Sequence, residues 1–251
     1  MPGTVVIGAT GSVGRVVVAA AAAAGLAPRA FVRDPARASA LLGDVPIAQG
    51  DLADDAALAA ALQEADAVVM VHGASGAARP EDVDYGAVPA VLRALGRARP
   101  HVVLMTSMAV THATGSWREA MHWKRRGERL LRASGLPATI IRPGWFDLQP
   151  PAWEAVALEQ GDTTPVDSRR PVARAQIADA VVASVRCPAA VGVTFELFAA
   201  PGPVERNWGP RFEALAHDAP ESVDAAKDPN LPLLADEPQR LRADLAELSG
   251  R

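Results

Sequence analysis

The chain has 251 residues and a formal charge of −4 from 25 basic and 29 acidic side chains. That length fits one domain whose core needs no disulfide or metal, and its 53 alanines against only 11 Phe, Trp and Tyr residues suit helices packed closely on a sheet. Twenty-three of the basic residues are Arg and two are Lys, with no basic stripe or tail, which argues against nucleic acid as a partner. The single cysteine, Cys187, cannot make an internal disulfide and no Cys/His cluster has zinc-ligand spacing, so the expectation is an intracellular, metal-free protein. The longest apolar stretch, 16–26, is about half of the roughly 20 residues a membrane span needs. No charged region precedes the first apolar run, and the chain is read as cytoplasmic, without a membrane partner.

Taken in order, short apolar runs at 4–7, 29–32, 46–48, 67–72, 101–106 and 138–142 read as buried strands. Amphipathic stretches at 13–24, 36–42, 55–63, 83–96 and 118–134 read as the helices between them, the first ended by Gly25. This alternation predicts an α/β, Rossmann-like doubly wound parallel sheet covered on both faces. After Pro143 the rhythm breaks, with helices at 175–185, 211–217 and 238–248 and a strand at 193–198 set among loops rich in Pro, Gly and Asp. Residues 143–251 are too broken to carry a core of their own. They are expected to form a small substrate-side lid on a single domain spanning 1–251. No repeat of fixed period appears, and the alanine tract at 19–24 is simply a good helix former.

The segment Val5-Val6-Ile7-Gly8-Ala9-Thr10-Gly11-Ser12-Val13-Gly14 places three glycines where a strand turns into a helix. Gly8 permits the tight turn, Gly11 lets backbone N–H groups approach a pyrophosphate, and Gly14 lets the helix lie close on the strand. The helix N-terminus adds a favourable dipole for phosphate. Gly8, Thr10, Gly11, Ser12, Val13 and Gly14 are therefore the core of a dinucleotide site. The end of the second strand selects the dinucleotide: an acidic residue there accepts from a ribose 2′-OH, whereas an Arg meets a 2′-phosphate. Here Arg33 stands at that point with Arg37 one turn on, while Asp34 ahead of Pro35 reads as the N-cap of the next helix. NADP(H) is thus favoured over NAD(H).

With Val32-Arg33-Asp34, Gly50-Asp51-Leu52, Ser107, Lys124-Arg125-Arg126-Gly127-Glu128, Ser134-Gly135-Leu136-Pro137 and Arg142-Pro143-Gly144, the chain resembles the short-chain dehydrogenase/reductase superfamily, specifically its atypical NmrA-like NAD(P)H-binding branch. The resemblance implies that Asp51 and Leu52 contact adenine, that Gly73 in His72-Gly73-Ala74 lies along the cofactor, and that Pro143 and Gly144 lie near the nicotinamide. It also implies a catalytic Ser after the fifth strand and a Tyr-x-x-x-Lys on the next helix. Ser107 and Lys124 match, but Ala120 stands where the Tyr belongs. Positions 120 and 124 are one helical turn apart and share a face, so a methyl group fills the acid slot. The only tyrosine, Tyr85, is on another helix.

Relatives of isoflavone reductase type also lack that Tyr and use the aligned lysine to handle a proton, which makes Lys124 and Ser107 the catalytic candidates. The alternative for Lys124 is an exposed helix lysine paired with Glu128 at i+4. His122, roughly 200° around the helix from Lys124, is expected to face away. Trp117, Trp123, Trp145, Phe146 and Trp153 fall in one stretch, around loops that rise from the C-terminal sheet edge. His112, Trp117, Trp145 and Phe146 are the candidate substrate pocket, suited to a small hydrophobic or aromatic molecule; the alternative is that these rings pack the C-terminal segment onto the sheet. The function expected is an NADP(H)-dependent oxidoreductase. Other readings are a non-catalytic NADP(H)-binding sensor or regulator, or a nicotinamide-retaining isomerase or dehydratase.

Overall fold

The computed structural model describes residues 3–220, 222–229 and 232–249. In chain order the first half forms β1 (Gly3–Ile7), α1 (Ser12–Ala23), β2 (Pro28–Val32), α2 (Pro35–Leu42), β3 (Ile47–Gln49), α3 (Asp55–Leu62), β4 (Ala65–Met70), α4 (Ala87–Leu95) and β5 (His101–Met105). The second half forms α5 (Arg118–Ala133), β6 (Ala138–Pro143), β7 (Trp145–Phe146), β8 (Ala155–Glu159), β9 (Pro171–Val172), α6 (Arg174–Arg186), β10 (Val193–Ala200), α7 (Gly209–Glu213) and α8 (Gln239–Ser249).

Eight strands make one sheet in the order β3-β2-β1-β4-β5-β6-β10-β8, parallel throughout except for β8, which runs antiparallel to β10. The expected Rossmann-like fold is what these residues build. Alternate side chains of each strand enter opposite helical layers: Val6, Val69, Val103 and Ile141 join the core under α1 and α6, while Val5, Val68, Val102 and Ile140 join the core under α3, α4 and α5. Burial on both faces explains why the strands are near-continuous apolar runs. Small side chains such as Ala21, Ala178 and Ala180 are buried where α1 lies along α6. Among the described residues no helix is long and apolar enough to cross a membrane.

Three departures from the sequence pattern matter. The segment expected as one helix over 83–96 is a π-helical turn, Glu81–Tyr85, followed by α4, and the turn closes with Gly86 N donating to Glu81 O at 3.1 Å. Pro89 contributes by offering no N–H to the preceding turn. Second, β8 is a short edge strand that follows a Pro-rich loop and was not anticipated. Third, α6 and β10 join the helical layer and the sheet themselves.

The segment after β10 is fastened by buried charge. Arg142 on β6 pairs with Glu128 of α5 (2.7 Å), Glu196 of β10 (3.1 Å) and Asp228 (2.6 Å), and Thr106 donates to Glu128 at 2.6 Å. Arg129 likewise reaches Asp224 and Glu237. Arg142 and Arg129 each have several acidic partners, the condition under which burial of charge is tolerated.

These groups set the pH response. Burial pushes His72 and His101 down to about 4, so their contribution is present above the ordinary histidine range and is lost as pH falls through 4. Burial alone would raise Glu128, but Arg142 holds it down at about 2; its contribution is lost between 4.5 and 2. Burial raises Glu196 to about 7, which acts in the opposite sense, with stability lost as pH rises from 4.5 to 7. The raised carboxyls Glu196, Asp228 and Asp179 oppose the lowered histidines above pH 4.5, and below it the charging of His72 and His101 and the protonation of Glu128 act together, so Tm is expected to fall as pH is lowered from 4.5 toward 3. Thermal unfolding followed by circular dichroism checks this; a Tm that stays level or climbs between pH 4.5 and 3 would mean the raised carboxyls dominate.

Candidate functional site

The glycine turn joins β1 to α1 as the spacing predicts. Gly8 has φ +84°, and a Cβ there would stand 2.7 Å from the His72 backbone nitrogen. A Cβ on Gly14 would stand 2.1 Å from the Gly8 carbonyl oxygen, so the helix can approach the strand only with glycine. Gly11 donates to that same oxygen at 3.0 Å and forms the N-cap of α1 with no capping side chain and no acid in the first turn. The N–H groups of that turn are thus open at the positive end of the helix dipole, a cradle that fits a pyrophosphate. Ser12 is exposed at its rim, Thr10 is half-buried, and Val13 is in the core beneath.

Phe31 of β2 pairs with Ile7 of β1, so Arg33 leaves the sheet beside this cradle. Arg33 and Arg37 are exposed and have no ion-pair partner among the described residues. Asp34 accepts from Arg37 N at 3.0 Å and caps α2, as expected. After β3, Gly50 lies against the Phe31 ring, Asp51 accepts from Ala53 N at 2.9 Å, and Leu52 is half-buried against the core.

Lys124 is not the exposed partner of Glu128. Its Nζ donates to Asp84 Oδ1 at 2.6 Å, and the Asp84 side chain is only 2% exposed. The same oxygen accepts from Ala74 N at 3.2 Å. A Cβ on Gly73 would come within 3.8 Å of Lys124 Nζ, so the lysine stands at the carboxyl end of β4 where the resemblance places the cofactor. Glu128, one turn on, is instead committed to Arg142 and Thr106. His122 is half-buried among Arg118, Arg126 and Glu237, and burial lowers its pKa. Tyr85 is buried and donates to Asp244 of α8 at 2.5 Å, so it holds α8 and does not enter the slot at Ala120. Asp84 was missed from the sequence; the available signal was an acid near Gly86 facing one of only two lysines.

Ser107 follows β5, half-buried and without a hydrogen bond to another described residue. Its loop is fixed from below: Met108 N donates to Pro143 O at 3.1 Å, and the buried Asp162 accepts from Ala109 N, Thr111 N and Thr111 Oγ1 at 2.5, 2.8 and 2.9 Å. Gly144 passes so close to Arg170 O that a Cβ would stand 2.2 Å away. Above the loop lies an open cleft of about 500 Å³ whose walls include His112, Trp117, Trp145, Val166 and Arg169. Trp117 and Trp145 meet edge to face at 5.4 Å, and Trp145 Nε1 donates to Val166 O. Phe146 lies outside this cleft under the Arg174 guanidinium, Trp123 packs on Tyr85, and Trp153 bridges to Gly202. Two of the five clustered rings therefore line the cleft, and Phe146 and Trp123 pack against other side chains of the fold.

Residues 8–188 match a family described as NAD(P)H-binding. A (4-alkanoyl-5-oxo-2,5-dihydrofuran-3-yl)methyl phosphate reductase of Streptomyces griseus is 30% identical over 237 residues, covering 89% of this chain and 81% of that protein. Quinone oxidoreductase 2 of Escherichia coli is 29% identical over 185 residues, covering 72% of this chain and 62% of that protein. Among solved structures, an oxidoreductase of Lactococcus lactis superposes with a TM-score of 0.71 at 16% identity, over 86% of this chain and 99% of that one, a likeness of fold. The glycine cradle, the parallel sheet and these matches agree: the chain belongs to the NAD(P)H-binding family.

Proposed function

We propose that the protein is an NADP(H)-dependent oxidoreductase acting on a small hydrophobic or aromatic substrate. The observation that carries this reading is the placement of Lys124 Nζ beside Gly73, at the same sheet edge as the open cradle at Gly11. When bound, the nicotinamide supplies the hydride chemistry and the protein supplies orientation and electrostatics. The first-turn N–H groups of α1 would hold the pyrophosphate, Arg33 the 2′-phosphate, and Asp51 and Leu52 the adenine. Lys124 would hold the nicotinamide ribose, with Gly73, Pro143 and Gly144 along the ring. Ser107 would orient the substrate, admitted past His112, Trp117 and Trp145. With Ala120 in the acid slot, acceptors whose developing negative charge is already delocalised, such as quinones and flavins, suit the site better than simple ketones. The quinone reductase among the relatives is in keeping with that choice.

The deciding experiment is titration with both dinucleotides. The unmodified protein is expected to bind NADP(H) more tightly than NAD(H), and Arg33→Ala to weaken NADP(H) about tenfold or more, the scale of a lost charged hydrogen bond, with NAD(H) nearly unchanged. Equal affinities in the unmodified protein would sink the assignment. Asp34→Ala is expected to cost about 1 kcal/mol of stability through the lost cap, without weakening NADP(H). A large loss of affinity would instead give Asp34 a role at the ribose. The missing tyrosine also favours a second reading, a non-catalytic NADP(H) sensor; NADPH oxidation against quinones, aldehydes and flavins separates the two.

A further inference from the structure

We infer that Asp84 is a positioning residue for the proposed reaction, its carboxylate holding the Lys124 ammonium against the cofactor edge of β4. The inference rests on the cofactor reading above and deepens it. Asp84 Oδ1 receives two hydrogen bonds, one from Lys124 Nζ and one from the backbone N–H of Ala74, so a single oxygen ties the lysine on α5 to the turn that follows β4. Both donors come to an acceptor sealed from solvent, and the Lys124 side chain is itself only 15% exposed. Charge-assisted hydrogen bonds of this length hold a flexible side chain in one place.

The backbone is built to deliver the carboxylate there. Asp84 lies in the π-helical turn Glu81–Tyr85, a widened turn of the kind that recurs at functional sites. Gly86, which closes the turn, can carry no side chain, since a Cβ would stand 2.2 Å from Asp82 O. On the facing helix Gly127, one turn beyond Lys124, brings α5 against the same segment: its Cβ would lie 3.1 Å from a Val88 methyl and 3.6 Å from Asp84 O. Gly73 lies beside the pair: a Cβ there would be 3.6 Å from Asp84 Oδ1 and 3.8 Å from Lys124 Nζ. Gly86 and Gly127 thus let the turn close and α5 approach it, and Gly73 lies in van der Waals contact with the ion pair.

His72 does not compete for the carboxylate. It is buried with Nδ1 unpartnered, and burial together with the nearby Lys124 ammonium outweighs the raising influence of Asp84 and pushes it down to about 4, so it is neutral near pH 7. Among the described residues Lys124 is the cation that Asp84 pairs with.

The test is a double-mutant cycle read on both NADPH affinity and turnover with the best quinone or flavin acceptor, using unmodified protein, Asp84→Asn, Lys124→Met and the double variant. Asn keeps an acceptor for Ala74 N and removes the charge. Asp84→Asn alone is expected to lower turnover or affinity about tenfold, the scale of a misplaced catalytic group, and to change the Lys124→Met protein less than about twofold. Equal losses in both backgrounds would make Asp84 a merely structural residue and overturn the inference, as would no loss in either. Should Asp84→Asn fail to fold, Asp84→Glu keeps the charge but displaces the ammonium, and is expected to show the same dependence on Lys124; a fully active Asp84→Glu overturns the inference. Unmodified protein that binds no NADPH overturns the proposed function itself, and this inference with it.

Discussion

Gly11→Val is expected to abolish dinucleotide binding and leave the fold intact. Gly11 has φ −70° and ψ 169°, an ordinary extended conformation for an L residue, so the backbone does not need glycine here. A Cβ would come 3.1 Å from the Gly8 carbonyl, which must give by a few tenths of an ångström, far less than the 2.1 Å approach at Gly14 would demand. The branches beyond that Cβ would occupy the mouth of the first turn of α1, where a pyrophosphate must come within hydrogen-bonding distance of the amides. The neighbouring glycines behave differently. A Cβ on Gly14 would meet Gly8 O at 2.1 Å and Gly8 has a positive φ, so substitutions at either position would damage the turn itself. Position 11 therefore separates binding from folding. Fluorescence titration with NADPH should show no saturation up to about 100-fold the unmodified protein's Kd, with far-UV circular dichroism unchanged and stability within about 1 kcal/mol. Retained affinity would place the dinucleotide elsewhere.

The glycine turn was legible because its requirements are local: a positive φ at Gly8 and a close approach at Gly14 are written into consecutive residues. The strand alternation and the Asp34 cap were legible for the same reason. The π turn was hidden because its apolar residues keep a helix-like spacing; a widened turn changes the closing hydrogen bond more than the pattern. The partners of Lys124 and Glu128 were hidden because they are set by tertiary structure. An i+4 pair between them is the local option, yet Asp84 lies 40 residues before Lys124 and Arg142 lies 14 after Glu128. Packing α5 against the π turn on one side and β6 on the other pulls the two charges apart. The aromatic cluster was legible as composition and misleading as geometry: Trp117 and Trp145 reach the cleft, while Phe146 and Trp123 are drawn under Arg174 and onto Tyr85.

Lys124→Met is expected to lower turnover by about 10²-fold or more, the scale of losing a group that handles a proton or fixes the reacting ring. Methionine preserves the length of the side chain along α5 and removes the charge. The substitution leaves the Asp84 carboxylate buried with Ala74 N as its remaining donor, at a cost of about 3–5 kcal/mol for removing one partner of a buried pair. Typical stabilities are about 5–15 kcal/mol, so kinetics are measured below the lowered Tm, and the drop in Tm is itself the sign that the pair existed. Because the same lysine is proposed to hold the ribose, NADPH affinity has to be measured separately before any loss is assigned to chemistry. Weakened affinity with kcat unchanged at saturating NADPH would make Lys124 a binding group alone. A fall in kcat at saturation would place it at the reacting ring, with Ala120 leaving that face open to water or to a proton from the substrate. Unchanged turnover together with unchanged affinity would return Lys124 to a purely structural pairing and move the balance toward a dinucleotide-binding regulator.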